Sequence, residues 1–154
     1  MLSIRDYTSN DIEQLWVLFF NTIRNINRRD YTQAQVEAWA SEEVEPELWA
    51  KRMHGISPFV AEKNGVIVGY TDLQDDGLID HFFVHFQYQG QGIGGALMNH
   101  VFEQGKERKI DRYHSHVSIT ARPFYEHFGF QVVKEETEEV RGEELNYFLV
   151  EKAV

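Results

Sequence analysis

Apolar positions recur with helical spacing along the first third of the chain. Ile4 to Tyr7 is a short strand candidate, and Thr8-Ser9-Asn10-Asp11 then offers side-chain acceptors for a helix N-cap, with Asp11 and Glu13 favourably placed in the first turn. Ile12, Leu15, Trp16, Phe19, Phe20, Ile23 and Ile26 follow the i, i+3, i+4, i+7 pattern of one wide apolar stripe, which predicts an amphipathic helix. Thr32 is suited to capping a second helix that carries Val36, Trp39 and Ala40, and Pro46 to opening a third with Leu48, Trp49 and Met53.

The texture changes after Ser57. Phe59-Val60-Ala61 and Val66-Ile67-Val68 flank Lys63-Asn64-Gly65, and Asn-Gly between extended apolar runs predicts a hairpin. Asp75-Asp76-Gly77 predicts another turn, followed by a third strand of this group from Leu78 to Val84. A Gly-rich turn at 90–95, a helix to about Arg108 and a strand from Tyr113 to Val117 make a strand–helix–strand crossover, so these two strands are expected to be parallel. A short helix from Ala121 to Phe128 ends at Gly129, a residue able to take the left-handed C-cap, and strands near Phe130–Lys134 and Leu145–Glu151 follow. Glu135, Glu136, Glu138 and Glu139 predict a solvated loop or edge strand, because like charges resist burial.

Composition narrows the classes. The 154 residues suit one domain, and 42% hydrophobic with 26% charged residues is the balance of an ordinary globular protein. Lysine and arginine number 15 against 25 acids, a net charge of −10 that disfavours nucleic acid and anionic membrane surfaces as partners. The absence of cysteine excludes disulfides, thiolate zinc sites, iron–sulfur clusters and a cysteine nucleophile. Arg5 and Asp6 come too early for a signal peptide, and no apolar run reaches about 18 residues, so a soluble cytoplasmic protein is expected.

Candidate chemistry concentrates in Gln89-Gly90-Gln91-Gly92-Ile93-Gly94-Gly95, ahead of a helix whose core face carries Leu97, Met98, Val101 and Phe102. Glycines let an anion approach the backbone, and the free N–H groups and dipole of the first helical turn supply positive potential, an arrangement suited to a phosphate or pyrophosphate. Gly90, Gly92 and Gly95 also satisfy the dinucleotide spacing G-x-G-x-x-G, with Asp111 as a ribose-binding acid. Position argues against that reading: such a turn belongs in the first strand–helix unit, whereas about 90 residues precede this one and about 60 follow.

The segment resembles instead the acetyl-CoA motif of the GNAT superfamily of N-acyltransferases, [Q/R]-x-x-G-x-[G/A], with Gln89, Gly92 and Gly94 matching. The wider frame from Val84 through Tyr88 to Leu97 also fits, with Phe86 where proline is common and glutamine where arginine is commoner. Ala121-Arg122-Pro123-Phe124-Tyr125-Glu126-His127-Phe128-Gly129-Phe130 resembles the family's A-x-x-F-Y-x-x-x-G-F signature, and Ile4 to Thr8 with Asp11 its opening strand and helix. Tyr31-Thr32-x-x-Gln35-x-x-x-Trp39 and Ser118-Ile119-Thr120-Ala121 look like a small bacterial branch related to the YafP-type proteins.

The resemblance implies a single α/β domain of α+β type: a mixed, mostly antiparallel sheet of six or seven strands with flanking helices, its fourth and fifth strands parallel and splayed. It further implies an N-acetyltransferase that uses acetyl-CoA, with direct transfer to a primary amine of a small molecule or peptide. The pantetheine arm is expected between the splayed strands, against backbone groups of Phe82, Phe83 and Val84, and the phosphates at Gln89, Gly90, Gln91, Gly92, Ile93 and Gly94. Thr120, Arg122 and Phe124 are further cofactor-side candidates. Tyr125 matches the family's proton donor to sulfur.

For the base, Asp80 ranks ahead of His81; as neighbours on one strand they are expected to point to opposite faces, so that at most one meets the substrate, and a water chain is the alternative. Phe20, Arg24, Tyr31 and Trp39 are expected to hold the acceptor, and the acidic surface favours a cationic one. His114 and His116 alternate onto one face of a strand, but no further ligands stand at recognisable spacing, and no metal is expected. The rival reading is a catalytically silent acyl-CoA-binding or regulatory module. The strand Leu145–Glu151 is a candidate for pairing across a homodimer.

Overall fold

The computed structural model describes residues 1–154, in the order β1 (Leu2–Asp6), α1 (Ile12–Asn25), α2 (Gln33–Trp39), α3 (Pro46–Ile56), β2 (Phe59–Lys63), β3 (Val66–Thr71), β4 (Phe82–Val84), α4 (Ile93–Glu107), β5 (Arg112–Ser118), α5 (Arg122–His127), β6 (Gln131–Val140) and β7 (Glu143–Ala153). The helix starts follow their capping chemistry. Asp11 accepts the Thr8 N–H at 2.7 Å and pairs with Arg5 at 2.8 Å, and Arg5 also reaches Glu62 at 3.0 Å, which ties the start of α1 to β1 and β2. Thr32 caps α2 as its sequence predicts: it accepts the Gln35 N–H at 3.1 Å while the Gln35 side chain accepts the Thr32 N–H at 2.8 Å.

The predicted hairpin joins β2 to β3, with Asn64 (φ 53°) and Gly65 (φ 78°) both left-handed, as a tight turn matching strand twist requires. β1, β2, β3 and β4 form one antiparallel sheet in that order, and β5, β7 and β6 another. A single parallel bridge between Leu78 and His114 joins the two. This is the mixed, mostly antiparallel α+β architecture expected, with its one parallel bridge at the join of the two sheets, where they part between β4 and β5. Helices α1–α3 pack a core of Leu15, Ile23, Val36, Met53 and Tyr70 on one face, while α4 and α5 bury Met98, Val101, Tyr125 and Phe130 on the other.

Two expectations are corrected. The run from Leu78 to Val84 is not one strand: Ile79 donates to the His114 carbonyl at 2.9 Å, only Phe82–Val84 pairs with β3, and the residues between leave the ladder. The cause is the buried Asp72 carboxylate, which takes the N–H groups of Asp80 (3.2 Å) and His81 (2.6 Å) for itself. The strand near Leu145 is not an edge either, because β7 lies between β5 and β6 and both its ladders are filled. The edge is β6, and it carries the acidic run, which suits an edge that must stay solvated.

Candidate active site

The parting of the two sheets opens a cleft of about 1180 Å³. His85 N–H donates to the Val68 carbonyl at 2.8 Å, so in this antiparallel pair the peptide groups of Phe83 face β3 and those of Phe82 and Val84 face away from it, into the cleft. Thr22 and Gln89 cap the Val84 carbonyl at 3.2 and 2.7 Å, which leaves the Val84 N–H as the open donor. On the opposite wall His114 makes the bridge to the 77–79 segment, and by alternation the peptide groups of His116 and Ser118 face the same side. The cleft thus has hydrogen-bonding backbone on both walls.

One end of the cleft is the glycine turn. Gly90 (φ 73°) and Gly92 (φ 82°) hold conformations that favour glycine, and nothing stands within 4 Å of where a Cβ would lie on either, so a ligand meets bare backbone there. Gly92 is the N-cap of α4 and brings no side-chain cap. The first N–H of the helix to find an internal acceptor is that of Ala96, on the Gly92 carbonyl at 3.1 Å, so the N–H groups of Ile93, Gly94 and Gly95 stay open to an anion. Thr120 lines the same cleft, and its Oγ1 is buried without a hydrogen-bond partner. A buried unpaired hydroxyl destabilises by about 1–3 kcal/mol, a deficit that a bound polar ligand removes. These features fit an extended, phosphate-bearing molecule.

The other end is titratable. Asp80 is exposed to the cleft, and His81, buried, also lines it. Residues 80 and 81 lie outside any ladder, so strand alternation does not set their side chains on opposite faces, and both line the cleft. Burial pulls the His81 imidazole down to about 4, the Asp80 carboxylate opposing and Arg52 assisting, so the ring is neutral at physiological pH and its Nδ1 meets the Tyr70 hydroxyl at 3.0 Å. Beneath them Asp72 is pushed up to about 7 by burial, partly countered by hydrogen bonds from Gln74 and the His81 and Asp80 N–H groups. Asp72 belongs to no motif of the sequence; its one visible signal there is an acid ending the apolar run Val66–Tyr70 on a buried strand.

Tyr125 is buried, which raises its hydroxyl above the usual phenol range and keeps it protonated. Its neighbour Ser115 donates to the Ile79 carbonyl at 2.6 Å, so that serine's single proton is committed and its oxygen, 3.4 Å from the Tyr125 hydroxyl, is left as a long acceptor. Tyr125 is therefore a protonated donor without a strong internal acceptor.

Phe82, Phe83, Val84, Gln89, Gly90, Gly92, Ile93, Gly94, Thr120, Phe124, Tyr31 and Trp39 all line the cleft with Asp80 and Tyr125. Four candidates do not. Arg24 donates twice to the Ala40 carbonyl, at 2.9 and 3.2 Å, and stacks over Phe20, so both serve the packing of α1 on the following segments. Arg122 pairs with Glu126 at 3.2 Å and lies over the Phe148 ring, 4.6 Å from its centroid, since a helical i, i+4 partner and an aromatic face are nearer than the cleft. Gln91 is exposed and meets Lys63 at 3.4 Å. The Gln89 side chain braces the Val84 carbonyl from the protein side. No group of three or more His, Asp or Glu side chains is placed to hold a metal ion, and His116 meets Glu136 at 3.2 Å.

Residues 27–144 match the family model described as Acetyltransferase (GNAT) domain. The chain is 30% identical over 141 residues to the uncharacterized N-acetyltransferase YafP of Escherichia coli, covering 92% of this chain and 89% of that protein. The crystal structure of a GCN5-related N-acetyltransferase from Rhodopseudomonas palustris superposes with a TM-score of 0.94 at 26% identity, over 99% of this chain and 95% of that one. The PaiA N-acetyltransferase of Thermoplasma acidophilum, solved in complex with coenzyme A, shares the fold at a TM-score of 0.77 and 19% identity, over 100% and 99%.

Proposed function

Because the chain belongs to the GNAT family of acetyltransferases, we propose that it takes acetyl-CoA as donor and passes the acetyl group directly, in a ternary complex, to a primary amine of a small molecule or peptide. The observation that carries this reading is the cleft between β4 and β5, one continuous cavity with an anion-suited glycine turn at one end and Asp80 with Tyr125 at the other.

Acetyl-CoA, when bound, supplies an activated thioester. The open amides of Ile93, Gly94 and Gly95 hold phosphate oxygens, and the Thr120 hydroxyl gains the polar partner it lacks. The outward-facing N–H of Val84 and the peptide groups of Phe82 hydrogen-bond the amide arm and polarise the thioester carbonyl. Asp80 attracts the ammonium of the acceptor and takes its proton, directly or through water; His81, neutral and engaged with Tyr70, shapes the floor. The freed amine adds to the thioester carbonyl, and as the C–S bond of the adduct breaks Tyr125 gives its hydroxyl proton to the departing sulfur. Tyr125 is reprotonated by the second proton leaving the nitrogen, relayed through water. The net charge of −10 favours a cationic acceptor.

Calorimetric titration of acetyl-CoA beside NADH, on wild type and Gly92→Glu, tests the reading. Micromolar binding of acetyl-CoA alone, lost in the variant, followed by turnover across an amine panel, is expected. Equal binding by the variant, or no binding of acetyl-CoA to wild type, would sink it. Binding without acyl transfer to any amine would make the protein a silent acyl-CoA-binding module.

A further inference from the structure

All three tryptophans of the protein line the cleft. Trp16 on α1 meets Trp49 on α3 edge to face at 5.1 Å, Phe19 packs on Trp49 at 4.9 Å and on Phe83 at 5.1 Å, and His81 closes the group 5.8 Å from Phe19. This aromatic wall therefore ends at the residue next to Asp80. At its outer end Leu48, 62% exposed on α3, continues the apolar surface to solvent. A second pair, Tyr31 with Trp39 at 5.6 Å, lines the cleft from the α2 side.

The polar handles of the most buried rings are already used inside the protein. Trp49 Nε1 donates to the Ile12 carbonyl at 3.0 Å, and the Tyr31 hydroxyl donates to the Asn146 carbonyl while accepting the Ile119 N–H at 2.9 Å. Trp49 and Phe19 are themselves buried and back the wall, while the half-buried rings of Trp16 and Phe83 present hydrocarbon surface to the cleft. The charged side chains of the cleft are Asp80, Glu138 and Glu139 against Arg52 and Arg141, and Arg141 is held by the Ala38 carbonyl at 2.6 Å. A wall of ring surface leading to a carboxylate matches a molecule with a flat apolar body and a terminal ammonium, which gains stacking, cation–π attraction and charge pairing together.

We infer that the acceptor is an arylalkylamine: a primary amine joined by a short linker to an aromatic ring, with the ring against the half-buried Trp16 and Phe83 and the amine at Asp80. This rests on the acetyltransferase reading, and it names the acceptor class that reading leaves open. A peptide or a polyamine would draw on the backbone of the walls and on Glu138 and Glu139, and would leave the ring surface of Trp16 and Phe83 without a matching group.

The protein saturated with coenzyme A is titrated by calorimetry with 2-phenylethylamine, with 2-cyclohexylethylamine, which has the same carbon skeleton but a puckered ring, and with spermidine. 2-Phenylethylamine is expected to bind at least tenfold more tightly than either, with the same order of kcat/KM when acetyl-CoA is supplied. Trp16→Leu, which keeps an apolar side chain and removes the ring, is expected to weaken 2-phenylethylamine at least tenfold while changing the coenzyme A affinity less than twofold; Trp16→Met, bulkier and flexible, is the second variant should the first misfold. Equal or tighter binding of the cyclohexyl amine or spermidine, or no binding of any of the three to the coenzyme A complex, would overturn the aromatic acceptor and leave donor binding intact. Failure to bind coenzyme A at all would overturn both readings.

Discussion

Gly94 on α4 and the Phe124 ring on α5 occupy adjoining space so closely that a Cβ on Gly94 would stand 2.9 Å from Phe124 Cε1. Gly92, two residues earlier, has nothing within 4 Å and a φ of 82°. The two glycines of one motif thus answer to different constraints, packing in the first case and backbone conformation in the second. Gly94→Ala is expected to push Phe124 toward the cleft, destabilising by about 1–2 kcal/mol and weakening acetyl-CoA binding. Gly92→Ala meets only the left-handed penalty, about 1–2 kcal/mol, with room for its methyl. Denaturant melts with calorimetry on both variants check the contrast, which requires the larger loss of donor affinity in Gly94→Ala.

Thr120→Val replaces an unpartnered buried hydroxyl with a methyl of the same shape. The free protein is expected to gain about 1 kcal/mol of stability while acetyl-CoA affinity falls several-fold, opposite signs that a purely structural threonine would not give. Melting with and without acetyl-CoA reads both.

Tyr125→Phe removes the proton donor and little else, because the hydroxyl's one contact, Ser115, is long at 3.4 Å. A fall in kcat of about a hundredfold or more is expected, with stability within about 1 kcal/mol of wild type and donor affinity unchanged. Unaltered kcat at neutral pH would remove Tyr125 from the chemistry.

Asp72 and His81 pull the pH dependence of stability in opposite directions. Asp72, up from 3.8 to about 7, keeps a proton in the native state that the unfolded chain loses earlier, so its contribution is complete below about pH 4 and is lost as pH rises through 7. His81, down from 6.5 to about 4, contributes above pH 6.5 and loses that contribution as pH falls through 4. From these two groups the wild type is expected to be nearly flat between about pH 5 and 7, while Asp72→Asn, retaining the histidine trend alone, rises by about 2 kcal/mol over the same interval. Urea titrations at the two pH values suffice, and parallel profiles for the two proteins would contradict it.

Arg24→Ala separates packing from recognition. Loss of the two bonds to the Ala40 carbonyl and of the Phe20 stack is expected to destabilise by about 1–2 kcal/mol, with the KM for the acceptor unchanged. A raised KM with normal stability would return Arg24 to the site.

Local chemistry makes much of this protein legible from its amino-acid order alone. The stripe on α1, the Thr32 cap, the Asn64-Gly65 turn and the glycines ahead of α4 each depend on residues a few positions apart, where spacing and backbone preference decide the outcome. The two motifs that carry the family resemblance are likewise contiguous, and they point to the cleft and to Tyr125. The choices that the tertiary structure made are those between distant groups. Asp72 withdraws the Asp80 and His81 amides from a ladder that Leu78 to Val84 would otherwise continue, and so brings both side chains to one cleft. Arg24 and Arg122 turn away because Ala40, Phe20, Glu126 and Phe148 offer nearer partners, and the three tryptophans meet one cavity only through the packing of α1, α2 and α3. A side chain's direction follows from which buried donors and ring faces lie within a few ångströms of it, and that neighbourhood is assembled by folding, not by adjacency along the chain.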